Sequence, residues 1–125
     1  MPARVVQEWL EKAEEDTRAA EILRDAGGPW SVASYHVQQA AEKYIKAALV
    51  SSGTVPPKTH DLSYLLGLDP TGMVTASEQG AATNLTSYAW LSRYPGSAPV
   101  QADDVAQAFQ DLEVLMNWAL RRIGP

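Results

Sequence analysis

The fold is decided by the stretch Tyr35-His36-Val37-Gln38-Gln39-Ala40-Ala41-Glu42-Lys43-Tyr44-Ile45-Lys46-Ala47-Ala48-Leu49-Val50. Its apolar residues recur every three or four positions, the spacing that places them along one side of an α-helix. The alanines in this stretch are small enough to let a neighbouring helix come close. Gly53 and Pro56-Pro57 follow and prevent the helix from continuing. The stretch therefore predicts a long helix over residues 30–52 that packs against other helices.

The segments on either side of this helix are amphipathic as well. Residues 5–26 carry apolar side chains at helical spacing and end at Gly27-Gly28-Pro29, a sequence that stops helices. Residues 103–123 repeat the pattern near the other end of the chain. A weaker pattern over residues 76–92 contains Gly80 and several Thr and Ser residues, yet its apolar side predicts a fourth long helix.

A short helix is predicted at residues 59–68, with Thr59 as its N-cap and Asp61 in its first turn. No segment bounded by turn residues alternates strictly between apolar and polar positions, so the sequence predicts no strand. The connections between the helical segments are short. The sequence therefore predicts an all-α fold, an antiparallel up-and-down bundle of four long helices plus one short helix.

Composition limits the classes of function open to this chain. Its 125 residues are 46% hydrophobic and include no cysteine, and its formal net charge is −5. The length predicts a single domain over residues 1–125, and the absence of cysteine excludes disulfides, thiolate metal sites and cysteine nucleophiles. The acidic balance argues against a general nucleic-acid coat. The longest strongly apolar stretch, residues 47–50, is too short to cross a membrane, and no secretory signal is evident, so we expect a cytoplasmic protein.

The polar residues of the second helix form a series that a bundle alone does not need. Four follow spacings of three, four and three along one side, and two lie beside them: His36, Gln39, Lys43 and Lys46, with Gln38 and Glu42. Such a group can hydrogen-bond a nucleotide or a phosphate, with the lysines as point charges. The alternative is a solvated helix surface on which Glu42 and Lys46 form an ordinary ion pair.

The segment Lys58-Thr59-His60-Asp61-Leu62 leads into the predicted short helix. Exposed N–H groups at a helix start favour anions, and Lys58 would add positive charge there. His60 would then act as a general base or as a donor to a phosphate. The alternative is structural, with Thr59 capping the helix, Asp61 complementing its dipole and Leu62 packing in the core.

The segment Ser92-Arg93-Tyr94-Pro95-Gly96 places an arginine at the end of a predicted helix. In one interpretation Arg93 binds a phosphate or a carboxylate. In the other, Arg93 complements the helix dipole while Tyr94 packs against the bundle. The residue types do not favour one interpretation over the other.

Established catalytic motifs are missing, because the sequence has no GxGxxG, GxxxxGK[ST], HExxH or GxSxG. Its two histidines cannot build a histidine-rich metal site, so we expect no metal. The acidic runs Glu14-Glu15-Asp16 and Asp103-Asp104 are interpreted as exposed helix surface. The tryptophans are interpreted as core or interface anchors rather than base-stacking platforms, and they are Trp9, Trp30, Trp90 and Trp118.

Four blocks of residues, in order, carry a resemblance to a known family. They are Trp9-Leu10-Glu11-Lys12-Ala13 with Asp16, then Tyr35-His36-Val37-Gln38-Gln39-Ala40-Ala41-Glu42-Lys43 with Lys46-Ala47, then Lys58-Thr59-His60-Asp61-Leu62, and last Tyr88-Ala89 with Arg93-Tyr94-Pro95. In this ordered set, with its QQAAEKxxKA core and THDL turn, the chain resembles the HEPN domain (higher eukaryotes and prokaryotes nucleotide-binding). The likeness spans nearly the whole chain. It implies an antiparallel helical bundle with a short additional helix.

The resemblance also implies partners and a site. HEPN domains commonly form homodimers, and many are encoded beside a small nucleotidyltransferase whose companion they are, often as toxin–antitoxin pairs. The family's recurring polar residues fall at Gln39, Glu42, Lys43, Lys46, His60, Asp61, Arg93 and Tyr94, with Lys58 in the same block. These residues would converge on one groove between the second helix, the THDL turn and the Arg93 loop. Alternatively, Glu42, His60 and Arg93 form a buried polar network that fixes helix registry.

Other members of the family are ribonucleases, whose site carries an Arg followed, after four to six residues, by His. Here Arg93 is followed at those distances by Ala98, Pro99 and Val100, and Arg4, Arg18 and Arg24 have no histidine there either. Without that imidazole, general acid–base cleavage of RNA by this motif is not expected. The resemblance therefore implies a nucleotide-binding or partner-binding module with no cofactor other than a nucleotide ligand. The alternatives are a ribonuclease with a divergent site built from His60 and Arg93, and a purely structural dimerisation module.

Overall fold

The computed structural model describes residues 3–91, 94–96 and 98–124. Within these residues the chain forms helices and no strand, which confirms the predicted all-α bundle. The helices are α1 (Ala3–Asp25), α2 (Trp30–Ser51), α3 (Leu62–Gly67), α4 (Ala76–Thr86), α5 (Tyr88–Leu91) and α6 (Ala102–Ile123). The bounds of α1, α2 and α6 lie within two residues of those predicted. No helix in the described ranges is long and apolar enough to cross a membrane.

The helix predicted over residues 76–92 is interrupted, and this corrects the sequence-based bounds. α4 ends at Thr86, Ser87 lies outside helical structure, and the short helix α5 follows. The Thr86 hydroxyl donates to the carbonyl of Ala82 at 2.8 Å and accepts the backbone N–H of Leu62 at 3.1 Å. A threonine hydroxyl that bonds one turn back tends to bend a helix. The end of α4 is thereby tied to the start of α3.

The predicted N-cap of the short helix is also corrected. The helix begins at Leu62 rather than near Thr59, and Asp61 caps it by accepting the N–H of Tyr64 at 3.1 Å. The Thr59 hydroxyl instead accepts the N–H of Asp61 at 3.2 Å. Thr59 therefore stabilises the turn before the helix, which is a common use of a threonine hydroxyl.

The second helix lies at the centre of the bundle and packs against α1, α3, α4, α5 and α6. Its alanines account for the close approach to α1, because Ala40 and Ala41 are fully buried in one cluster with Ala13 and Ala20 of α1. Larger side chains from several helices complete this hydrophobic cluster, including Val37, Ile45, Leu49, Leu65, Leu85, Leu112 and Leu115. Burial of this apolar surface is the main stabilising term of the bundle.

The tryptophans divide between the core and the surface. Trp118 of α6 is 1% exposed and is the largest of the fully buried side chains. Its indole N–H has no hydrogen-bond partner among the described residues, so this ring stabilises the fold by packing. Trp9 and Trp30 are half-buried, whereas Trp90 of α5 is 43% exposed.

Candidate functional site

A buried carboxylate on α2 is the centre of the candidate site. Glu42 Oε2 lies 3.0 Å from Lys46 Nζ, and Glu42 Oε1 lies 2.7 Å from His60 Nδ1. Gln38 Nε2 donates to the same Oε1 at 3.4 Å. The Glu42 and Lys46 side chains are only 6% and 9% exposed, so this ion pair lies inside the bundle and not on a solvated surface. A buried charge pair of this kind needs the additional hydrogen bonds that Gln38 and His60 supply.

The histidine of this cluster is held in one orientation. An ionised carboxylate only accepts hydrogen bonds, so His60 Nδ1 carries the hydrogen that points to Glu42. The His60 side chain is 51% exposed. The other ring nitrogen, Nε2, makes no hydrogen bond with a described residue. This pairing of carboxylate and imidazole fixes the ring in the manner known from many functional histidines.

One glutamine joins α2 to the loop that carries His60, and a second glutamine of α2 bonds to the first. Gln38 is fully buried, and its Nε2 donates to the backbone carbonyl of His60 at 3.1 Å. Its Oε1 accepts from Gln39 Nε2 at 2.7 Å. The sequence placed Gln38 beside the candidate face but not among the site residues. Its spacing of four residues from Glu42 was the local signal that it belongs there.

A second polar cluster links α1 to α2. Asp16 of α1 accepts a hydrogen bond from Lys43 Nζ, and its other oxygen lies 2.9 Å from His36 Nδ1. The Asp16 side chain is 13% exposed, which corrects the interpretation of this residue as exposed acidic surface. Its neighbours Glu14 and Glu15 are exposed as expected. Lys43 therefore belongs to the junction of α1 and α2 rather than to the Glu42 cluster.

An aromatic ring of α1 covers the buried lysine. Lys46 Nζ lies 5.6 Å from the ring centroid of Trp9, a distance at which an ammonium is attracted to the face of an indole. Lys46 therefore forms both an ion pair with Glu42 and a cation–π contact with Trp9. The two lysines that the sequence marked as phosphate contacts are both neutralised inside the protein, Lys43 by Asp16 and Lys46 by Glu42.

The remaining candidates lie at the edge of these clusters or outside them. Asp61 is occupied as the N-cap of α3, and Lys58 is exposed and forms no ion pair with a described residue. Tyr94 is 63% exposed. Arg93 lies outside the described residues. The structure therefore brings Gln39, Glu42, Lys46 and His60 together and leaves Lys58 as the unpaired cation of the neighbouring loop.

Comparison with known proteins identifies the family. The sequence matches the HEPN domain over residues 6–123, which is nearly the whole chain. The chain belongs to the HEPN family. This confirms the resemblance carried by the four sequence blocks.

Two solved structures share the HEPN fold of this chain. The crystal structure of TT1696 from Thermus thermophilus matches with a TM-score of 0.86 at 24% identity, covering 94% of this chain and 97% of that one. The crystal structure of ST0689, an archaeal HEPN homologue, matches with a TM-score of 0.77 at 27% identity, covering 95% and 98%. No curated protein matches this HEPN chain. The likeness to TT1696 is evidence for the fold alone.

Burial raises the pKa of ionisable groups on α2 and α6 of this HEPN domain. Burial raises the pKa of Asp111 in α6, although Gln107 and Asn84 donate hydrogen bonds that act in the opposite direction. Burial also raises the pKa of Tyr44 in α2, and the charge of Glu14 adds to the effect. Among the described residues, no three histidine or carboxylate side chains are grouped so as to hold a metal ion. The Glu42 cluster offers hydrogen bonds and an oriented imidazole.

Proposed function

We propose that this HEPN protein is a binding module without nuclease activity, a homodimer that acts in the cytoplasm as the companion of a small nucleotidyltransferase in a toxin–antitoxin-like pair. The observation that supports this proposal best concerns the two imidazoles of the chain. His36 is held by Asp16 and His60 by Glu42, and no arginine is followed by a histidine at the spacing of the ribonuclease motif. Both histidines thus serve to join elements of the bundle, which suits a rigid recognition surface.

The nucleotide ligand of this proposal is bound at the edge of the Glu42 cluster. Lys43 and Lys46 are already paired with carboxylates of the protein, so Lys58 and Arg93 are the residues proposed to bind the phosphates. The free edge of the His60 ring donates or accepts a further hydrogen bond. Tyr94 is exposed and offers an aromatic face on which a base can stack.

Removing the two proposed phosphate contacts should weaken nucleotide binding. We expect the Lys58→Ala, Arg93→Ala double variant to bind ATP or GTP about tenfold more weakly than the unmodified protein, since charge-assisted hydrogen bonds to phosphate are lost. Isothermal titration calorimetry measures the Kd. The matched control is Arg4→Ala with Lys12→Ala, which changes the net charge equally on the exposed surface of α1. Absence of heat at millimolar nucleotide, or equal weakening by the control, would contradict nucleotide binding.

Partnership with the nucleotidyltransferase is tested by co-expression. We expect the HEPN chain and the small nucleotidyltransferase encoded by the same genome to elute together from a size-exclusion column, because the module is proposed to bind that enzyme directly. Light scattering gives the mass of the complex and of the HEPN chain alone, for which we expect twice the 13.6 kDa of one chain. An unrelated helical bundle expressed with the same enzyme is the control. Separate elution of the two proteins would remove the partnership from the proposal.

One observation favours a second candidate function, a ribonuclease with a rearranged site. The Glu42 carboxylate orients His60 and leaves Nε2 of a half-exposed ring without a partner among the described residues, which is the arrangement of a general base. Incubation of total RNA with the protein and with His60→Ala separates the two functions. Cleavage that is lost in His60→Ala would favour the ribonuclease, whereas equal residual cleavage by both proteins would identify a contaminant.

A further inference from the structure

An apolar cleft runs between the first and last helices. α1 and α6 both pack on α2, and a hollow of about 360 Å³ lies between them, with Phe109, Leu112 and Met116 of α6 along one wall. A second hollow, of about 410 Å³, lies between the start of α1 and the end of α6, where Leu10 and Leu120 both line it. The two helices are antiparallel here, so the hollows follow one another along the helix pair, and together they are called the α1–α6 cleft.

The acidic residues of the α1–α6 cleft lie at the rim of the first hollow. Glu21 of α1 and Glu113 of α6 lie on opposite sides of the first hollow, and neither forms an ion pair with a described residue. The cation at the hollow is Arg24, whose guanidinium lies 4.6 Å from the Phe109 ring centroid and whose Nε donates to Asp25 at 3.1 Å. Asp25 therefore offsets the charge of Arg24. The two glutamates then make the net charge at the rim of the first hollow negative.

The length of the cleft fits a helix. Gln7 beside the second hollow and Glu21 beside the first are fourteen residues apart on α1, a distance of about 21 Å at 1.5 Å per residue. An amphipathic helix of about four turns would therefore reach both hollows with apolar side chains about fourteen residues apart on one face.

We propose that the α1–α6 cleft docks an amphipathic helix with a basic polar face, supplied by a partner protein. Its apolar side chains fill the two hollows, and its lysines or arginines lie against Glu21 and Glu113. A second copy of this chain is the less suitable occupant, because a symmetric contact would bring the same glutamates of both copies together in a protein of net charge −5. The proposal does not depend on nucleotide binding or on the identity of the partner enzyme.

A synthetic peptide tests the docking of a basic helix. The probe is a labelled peptide of about six turns, with leucine at helical spacing on one side and lysine elsewhere, and fluorescence anisotropy measures its Kd. We expect Glu21→Lys with Glu113→Lys to weaken binding about tenfold, since attraction at two rim positions becomes repulsion. The matched control is Glu8→Lys with Asp103→Lys, which makes the same charge change on the same two helices away from the cleft and should alter Kd by less than about twofold.

Further arms of the experiment separate docking from general attraction of charge. A peptide with serine in place of leucine should not bind, because it cannot fill the hollows, and a peptide with glutamate in place of lysine should not bind either. Equal weakening by the control variant, or binding of the serine peptide, would overturn the proposal in favour of unspecific attraction. Light scattering showing that Glu21→Lys with Glu113→Lys alters the mass of the protein alone would also overturn it, in favour of a second copy in the cleft.

Discussion

Replacing Glu42 with alanine should destabilise the protein by about 3–5 kcal/mol, because Lys46 would remain buried without a counter-charge. Both side chains of the pair are more than nine-tenths buried, and the same carboxylate also accepts from His60 and Gln38. The substitution therefore removes one group and leaves three donors without their acceptor. Urea unfolding followed by circular dichroism measures the change in the free energy of unfolding.

Two further variants distinguish this cost from the loss of any ion pair. Glu15→Ala removes an exposed pair with Lys12 and should cost less than about 0.5 kcal/mol. The double variant Glu42→Leu with Lys46→Met replaces the buried charges by apolar groups of similar size and should regain most of the lost stability. A cost for Glu42→Ala no larger than that of Glu15→Ala would show that the Glu42 cluster is open to water and does not lock α2 to the His60 loop.

Replacing Trp118 with alanine should cost about 3–5 kcal/mol as well, for a different reason. Trp118 is 1% exposed and belongs to the hydrophobic cluster that joins α6 to the rest of the bundle. Its removal leaves a cavity the size of an indole, which the surrounding helices can only partly close. Thermal and urea unfolding measure the loss, and the slope of the urea transition shows whether the native state stays compact.

Controls for this prediction use the ring itself and an exposed tryptophan. Trp118→Phe should cost only about 1–2 kcal/mol, because the indole N–H forms no hydrogen bond with the described residues and the phenyl ring fills most of the space. Trp90→Ala, at a position 43% exposed, should cost less than about 1 kcal/mol. Equal costs for Trp118→Ala and Trp90→Ala would mean that α6 does not contribute its tryptophan to the core.

Local patterns in the sequence predict most of the fold. The period of apolar residues is a property of each segment alone, so α1, α2 and α6 are found with nearly correct bounds. The break after α4 could not be predicted in this way, because Thr86 bonds to Leu62, a residue distant in sequence. The sequence predicts the N-cap of α3 two residues too early, because Thr59 and Asp61 are both good capping residues. In the structure Asp61 caps the helix, and the Thr59 hydroxyl bonds within the turn before it.

The candidate site could likewise be predicted only in part from local sequence patterns. The Glu42–Lys46 pair follows from a spacing of four residues on one helix, but its burial depends on Trp9 and the His60 loop, which no local pattern reveals. The contact of Asp16 with Lys43 depends on the register of α1 against α2. Sequence spacing alone therefore grouped Lys43 with Lys46, whereas the packed helices direct the two ammonium groups to different carboxylates.

The central position of α2 also determines how the chain can be divided. Every other helix rests on α2, so a fragment without residues 30–51 lacks the surface on which its parts would assemble. A fragment that keeps α2 but loses α1 exposes the alanine face of α2 and leaves Lys43 without Asp16. No cut in this chain yields two halves that each carry a complete interior. The protein is therefore a poor candidate for splitting into fragments that fold separately before they recombine.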